Sequence, residues 1–163
     1  MVKAKAAAPG NGLDMASLDM AGLHLGSLEH AAGYVMRRAQ MAVFNDFAAR
    51  FAALDLKPGQ YSTLQVIASN PGQPQSALGA ALGILRPNFV AMLDGLERRG
   101  LARRVRSEQD RRLQAVILTD KGRALLKRAQ AVQSAQEARI SDILGEEGRD
   151  RLIALSLRLW REL

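Results

Sequence analysis

The hydrophobic period of this chain switches from helical to strand-like in one short stretch, and that switch limits the folds open to it. From Pro87 to Arg99 the apolar residues Phe89, Val90, Leu93 and Leu96 fall on one side of a helix, with Pro87 suited to a first helical position and Gly100 just past the end. Leu101 to Ser107 and Leu113 to Leu118 then read as two short strands rich in Val, Ile and Leu, joined by the polar tip Glu108-Gln109-Asp110-Arg111. The pattern predicts a helix followed at once by a β-hairpin.

Charge collects in the same place. Between Arg86 and Arg128 stand twelve Lys/Arg against five acids, an excess equal to the whole formal net charge of +7 on 163 residues. The rest of the chain balances, so the positive charge is one localised feature and a polyanion is the expected partner. Upstream, Pro74 starts a short helix to Leu82, Gly83 supplies a turn, and Arg86-Pro87 opens the next helix. That is helix-turn-helix spacing. A helix sized for the DNA major groove, flanked by a ribbon whose arginines reach the minor groove, is the physical logic of a winged helix-turn-helix.

Composition narrows the function classes. With 48% hydrophobic residues the chain is long enough for one ordinary core and too short for two large domains. The absence of cysteine excludes disulfides, thiolate zinc sites and cysteine redox switching, and His24 and His30 leave little material for a metal site. No nucleophile–base pair, metal cluster or Gly-rich phosphate loop is visible, so neither an enzyme nor a cofactor is expected. The first residues are too weakly apolar for a signal peptide and no later run approaches a membrane span; a cytoplasmic protein without a membrane partner is expected.

The remaining segments read as helices. Ser27 is a good N-cap for a long helix through Leu54, carrying Leu28, Ala32, Val35, Ala39, Val43, Phe44, Phe47 and Phe51. Lys57-Pro58 opens another to about Ser69, which Asn70-Pro71-Gly72 stops. Thr119 caps a helix from Asp120 to about Leu144, Gly145 ends it, and Leu152, Leu155, Leu159 and Leu163 stripe a last one. The fold class expected is mainly α with a small β-hairpin wing. Residues 1–26 are read as a tail with a possible short helix, 27–56 with 120–163 as a dimerisation region, and 57–119 as the DNA-binding domain. Apolar stripes on terminal helices far apart in sequence are natural material for a homodimer interface.

The run Asp94-Gly95-Leu96-Glu97-Arg98-Arg99-Gly100-Leu101, the tip Asp110-Arg111-Arg112 and Leu118-Thr119-Asp120-Lys121-Gly122, in this order and spacing, resemble the MarR family of winged-helix regulators. The resemblance covers roughly Leu28 to Leu163. It implies an obligate dimer with two winged lobes on a palindromic operator of double-stranded DNA. It also implies, for most members, repression relieved by a small effector, often an aromatic acid and sometimes an aryl-coenzyme A (aryl-CoA) thioester. A constitutive or architectural DNA-binding regulator without effector is the alternative. Members often carry hydroxyl residues where this chain has Pro87 and Asn88, and Arg where it has Ala91.

Individual roles follow from side-chain chemistry. Asn88 can pair bidentately with adenine, Arg86 can contact guanine or phosphate, Pro87 belongs to the same helix start, and the small Ala91 and Gly95 allow the helix to approach closely enough to touch a thymine methyl. At the hairpin tip Asp110 can orient Arg112 beside Arg111 for entry into a narrow minor groove. An exposed pair of that kind adds only about 0–1 kcal/mol to stability, so positioning explains the acid better than folding does. Arg103, Arg104 and Arg106 are expected on phosphates. An effector cleft is expected between the first long helix, the second helix and the helix after the hairpin, lined by Tyr34, Arg37, Met41, Phe44, Tyr61 and Leu64 with His30 near. Aromatic and methionine side chains with one cation suit a planar aromatic carboxylate.

Overall fold

A computed structural model describes residues 24–106 and 114–163. After a short 3-10 turn at Gly26–His30 come helices α1 (Ala32–Phe51), α2 (Pro58–Ser69), α3 (Gln75–Ala81) and α4 (Arg86–Arg98). Strands β1 (Ala102–Arg106) and β2 (Gln114–Leu118) follow, then α5 (Asp120–Leu144) and α6 (Glu146–Glu162). The chain divides into two compact units, Met1–Val43 and Phe44–Leu163, so α1 begins in one and ends in the other.

In the first unit, the long helix expected from Ser27 starts later. The Leu25 N–H donates to the Glu29 carboxylate at 3.2 Å and closes a separate turn, inside which Ser27 lies. Ala31 is then extended (φ −80°, ψ 108°), and only at Ala32 does α-helix begin. A local carboxylate-to-backbone bond has overridden the N-cap signal of the serine.

The second unit holds the core. Phe47 and Phe51 from the end of α1 meet Leu64 and Ile67 of α2, Leu78 of α3, Phe89, Leu93 and Leu96 of α4, Val116 of β2, and Leu126 and Ala129 of α5. Phe89, Leu93 and Leu96 recur at helical spacing, so one face of α4 is sealed against the core and the opposite face is left to solvent. Helices α3 and α4 cross at 112°, within the range of about 90–120° typical of a helix-turn-helix.

The motif residues are explained by how α4 ends. Gly100 (φ +67°) donates its N–H to the Glu97 carbonyl at 2.8 Å, and Leu101 donates to the Leu96 carbonyl at 2.9 Å. These two bonds, with Leu96 and Leu101 both buried, form a Schellman cap that turns the chain straight into β1. The Thr119 hydroxyl then donates to the Gly100 carbonyl at 2.6 Å and accepts from the Gly122 N–H at 3.0 Å, while Lys121 Nζ donates to the Arg99 carbonyl at 2.8 Å. The start of α5 thus caps carbonyls at the end of α4, and its own Gly122 N–H is capped by the same Thr119 hydroxyl.

The strands pair antiparallel in the register Ala102↔Leu118, Arg104↔Val116 and Arg106↔Gln114. On its other edge β2 is held by the Gln73 carbonyl, which accepts from the Val116 N–H at 3.0 Å, and by a bridge between Pro74 and Ala115. The hairpin is therefore fastened to the segment entering α3. Among the described residues no single helix is long and apolar enough to cross a membrane.

Candidate nucleic-acid interface

The face of α4 turned away from the core carries Pro87, Asn88 and Ala91, all exposed, and Arg86, the first residue of the helix, is exposed beside them. Pro87 fits the first turn because it lacks the N–H that would have no helical partner there. Asn88 and Ala91 lie three residues apart, on one side and clear of Phe89 and Leu93. The structure places all four sequence-predicted residues in the exposed first turns of α4.

The arginines of β1 separate into two kinds. Arg103 and Arg106 are exposed and make no ion pair among the described residues. Arg104 is engaged on all sides: Nη1 pairs with Asp94 at 2.8 Å and with Glu97, its backbone N–H donates to Glu97 at 2.7 Å, and Nε donates to Gln75 at 3.2 Å. With a side chain only 20% exposed, it ties β1 to α4 and α3. Asp94, Glu97 and Gln75 are partners of Arg104 that reading the sequence missed. The two-residue period offered a signal, because Arg104 shares the face of the buried Ala102. Asp110, Arg111 and Arg112 lie outside the described residues.

The candidate effector residues fall in both units. In the first, His30, Arg37 and Met41 are exposed, and Arg38 Nη1 donates to the half-buried Tyr34 hydroxyl at 3.4 Å. In the second, Phe44 is half exposed, Leu64 is fully buried in the core, and the Tyr61 ring lies 5.9 Å from Phe47 and 5.4 Å, edge to face, from Phe51. Burial pushes the Tyr61 hydroxyl above the ordinary phenol value, and the Glu137 charge adds to the shift. Leu64 thus packs inside the unit, where Tyr61 keeps one side toward solvent.

Residues 54–113 match the MarR family pattern. A Thauera aromatica protein, whose name gives it a transcriptional regulatory role for the hcr operon, is 37% identical over 148 residues, 90% of this chain and 89% of its own length. The chain belongs to the MarR family. It is a MarR-type transcriptional regulator. Two solved structures of the repressor CouR are similar to it. One, bound to p-coumaroyl-CoA, is 44% identical with a TM-score of 0.82 and covers 86% of this chain and 99% of its own. The other, bound to a 23-mer DNA duplex, is 46% identical with a TM-score of 0.80 and covers 84% and 97%. The PcaV regulator from Streptomyces coelicolor, solved with its natural ligand, shares the fold at 24% identity (TM-score 0.72, covering 88% and 99%).

Proposed function

We propose that this MarR-family chain is a homodimeric, sequence-specific DNA-binding repressor, released from a pseudo-palindromic operator by an aromatic carboxylate or an aryl-CoA thioester. The observation that carries the reading is the exposed face of α4. Asn88 and Ala91 are exposed on a helix whose other face is sealed into the core, Arg86 is exposed at its start, and Arg103 and Arg106 lie on the adjoining strand without ion-pair partners among the described residues. A helix held that firmly can offer its first turn to base edges, with Asn88 on adenine and Arg86 on guanine or phosphate. Arg111 and Arg112, oriented by Asp110, take the minor groove, and Arg103 and Arg106 take phosphates.

Dimerisation is supported by α6, which buries no residue and exposes Leu152, Leu155, Leu159 and Trp160. A monomer rarely leaves such an apolar stripe in water. Likeness to CouR, in complexes with DNA and with p-coumaroyl-CoA, supports both halves of the repressor reading. For the effector, the second unit offers the half-exposed Phe44 and the partly exposed Tyr61 as flat apolar contacts for an aromatic group. Ligand binding fixes the two lobes at a spacing that no longer matches successive major grooves about 34–36 Å apart.

The test is fluorescence anisotropy of the protein on the DNA upstream of its own coding sequence, followed by challenge with aromatic acids and their CoA thioesters. Release by one compound is the expected result. Tight binding that none disturbs would leave a constitutive regulator, and no binding would overturn the reading.

A further inference from the structure

Leu85 stands where folding does not account for it. It is the N-cap residue of α4, and no side-chain bond caps the helix there. Ser, Thr, Asp and Asn are favoured at that position because their oxygen takes up a first-turn N–H, and leucine is among the poorest choices. Nor does the side chain repay the loss by packing: Leu85 is 74% exposed, whereas the adjoining Ile84 rests against the core. A lone exposed leucine is ordinary. This one immediately precedes Arg86, Pro87 and Asn88, which are exposed in turn.

We propose that Leu85 is a specificity-determining residue that covers the 5-methyl group of a thymine in the major groove, beside the base edge read by Asn88. The inference rests on the DNA-binding reading above. The thymine methyl is the one apolar group that any base pair presents in that groove, and the N-terminal residues of a recognition helix are the ones that reach base edges. Set against a phosphate instead, a leucine would desolvate charge and gain nothing in return. Seated on a methyl, it removes apolar surface of both partners from water, which corresponds to roughly three- to fivefold in affinity for each methyl covered.

Deoxyuridine deletes that methyl and leaves every hydrogen-bonding group of the base in place. The experiment takes a duplex selected by the wild-type protein from a random-sequence pool and replaces its thymines one at a time by deoxyuridine. Affinity is then measured for the wild type and for Leu85→Ser, which restores a favourable cap and so melts no lower than the parent. One replacement per bound protomer is expected to weaken the wild type about three- to fivefold and to leave Leu85→Ser unaffected. Indifference of the wild type to every replacement would overturn the proposal, as would undiminished discrimination in Leu85→Ser. A protein that selects no sequence at all would overturn the DNA-binding reading and this inference with it.

Discussion

A Cβ placed on Gly122 would lie 1.9 Å from the carbonyl oxygen of Leu101. The first turn of α5 thus packs directly on the backbone that leaves α4, and only glycine admits that approach. Alanine would ordinarily favour a helix by up to about 1 kcal/mol over glycine. Here the obstacle is backbone, already fixed by the bond from the Thr119 N–H to the same Leu101 carbonyl at 3.1 Å, so it cannot step aside cheaply. Gly122→Ala is expected to lose about 1–3 kcal/mol net, read as a lower urea midpoint with an unchanged slope.

Arg104 should behave unlike its neighbours. Its guanidinium already serves Asp94 and Glu97, so it has little charge left for a phosphate. Arg104→Ala is expected to cost roughly 1.5–3 kcal/mol of stability and to weaken DNA binding evenly across sequences while leaving the salt dependence of affinity in place. Arg103→Ala should leave stability nearly unchanged and lower the salt slope by about one. Plotting log affinity against log salt for both proteins checks the contrast; equal slope changes would count against it.

These two cases mark what can be read from the chain itself. The end of α4 was legible because its determinants are local: Gly100 sits just past the last helical residue, and the Thr119 cap precedes α5. The role of Arg104 was not, since Gln75 lies 29 positions away and a count of charges cannot separate a braced arginine from a free one. The start of α1 was misread because the Glu29 bond to the Leu25 N–H competes with Ser27 as a helix-start signal. In each instance the missing information was a partner, and partners are set by the fold.

Asn88 carries the base-reading role most directly. Because it is exposed, its removal should leave the fold intact. Asn88→Ala is expected to lose about 1–3 kcal/mol on the preferred duplex and little on random DNA. Competition binding with both duplexes measures the ratio, and equal losses on the two would remove Asn88 from that role.

The stripe on α6 gives a test of assembly. Leu155 is half exposed and central to the row formed with Leu152 and Leu159. In a two-fold dimer each substitution occurs twice, so putting a charge there removes two leucines from the seam at about 1.5–3 kcal/mol each. Leu155→Asp is expected to raise the dimer dissociation constant by on the order of a hundredfold or more. Sedimentation over a dilution series reads that shift directly. The sole tryptophan, Trp160, is 78% exposed on the same helix, and its emission should move to the red if dissociation uncovers it.

Acid stability should depend on Asp46. The Arg50 side chain donates to its carboxylate at 2.6 Å and holds it below the usual carboxylate range, with the Arg50 and Arg139 charges and a 3.1 Å bond from the buried Gln136 amide acting in the same sense. Because the folded value is depressed, the contribution of Asp46 is fully present above the unfolded carboxylate pKa. It is lost as pH falls through the lower, folded one. Asp46→Asn should therefore be less stable than the parent at neutral pH, and the gap should close as the medium is taken below about pH 4. Urea midpoints of both proteins across that range decide the matter: a gap that stays constant would mean that packing, and not the charge on Asp46, makes the difference.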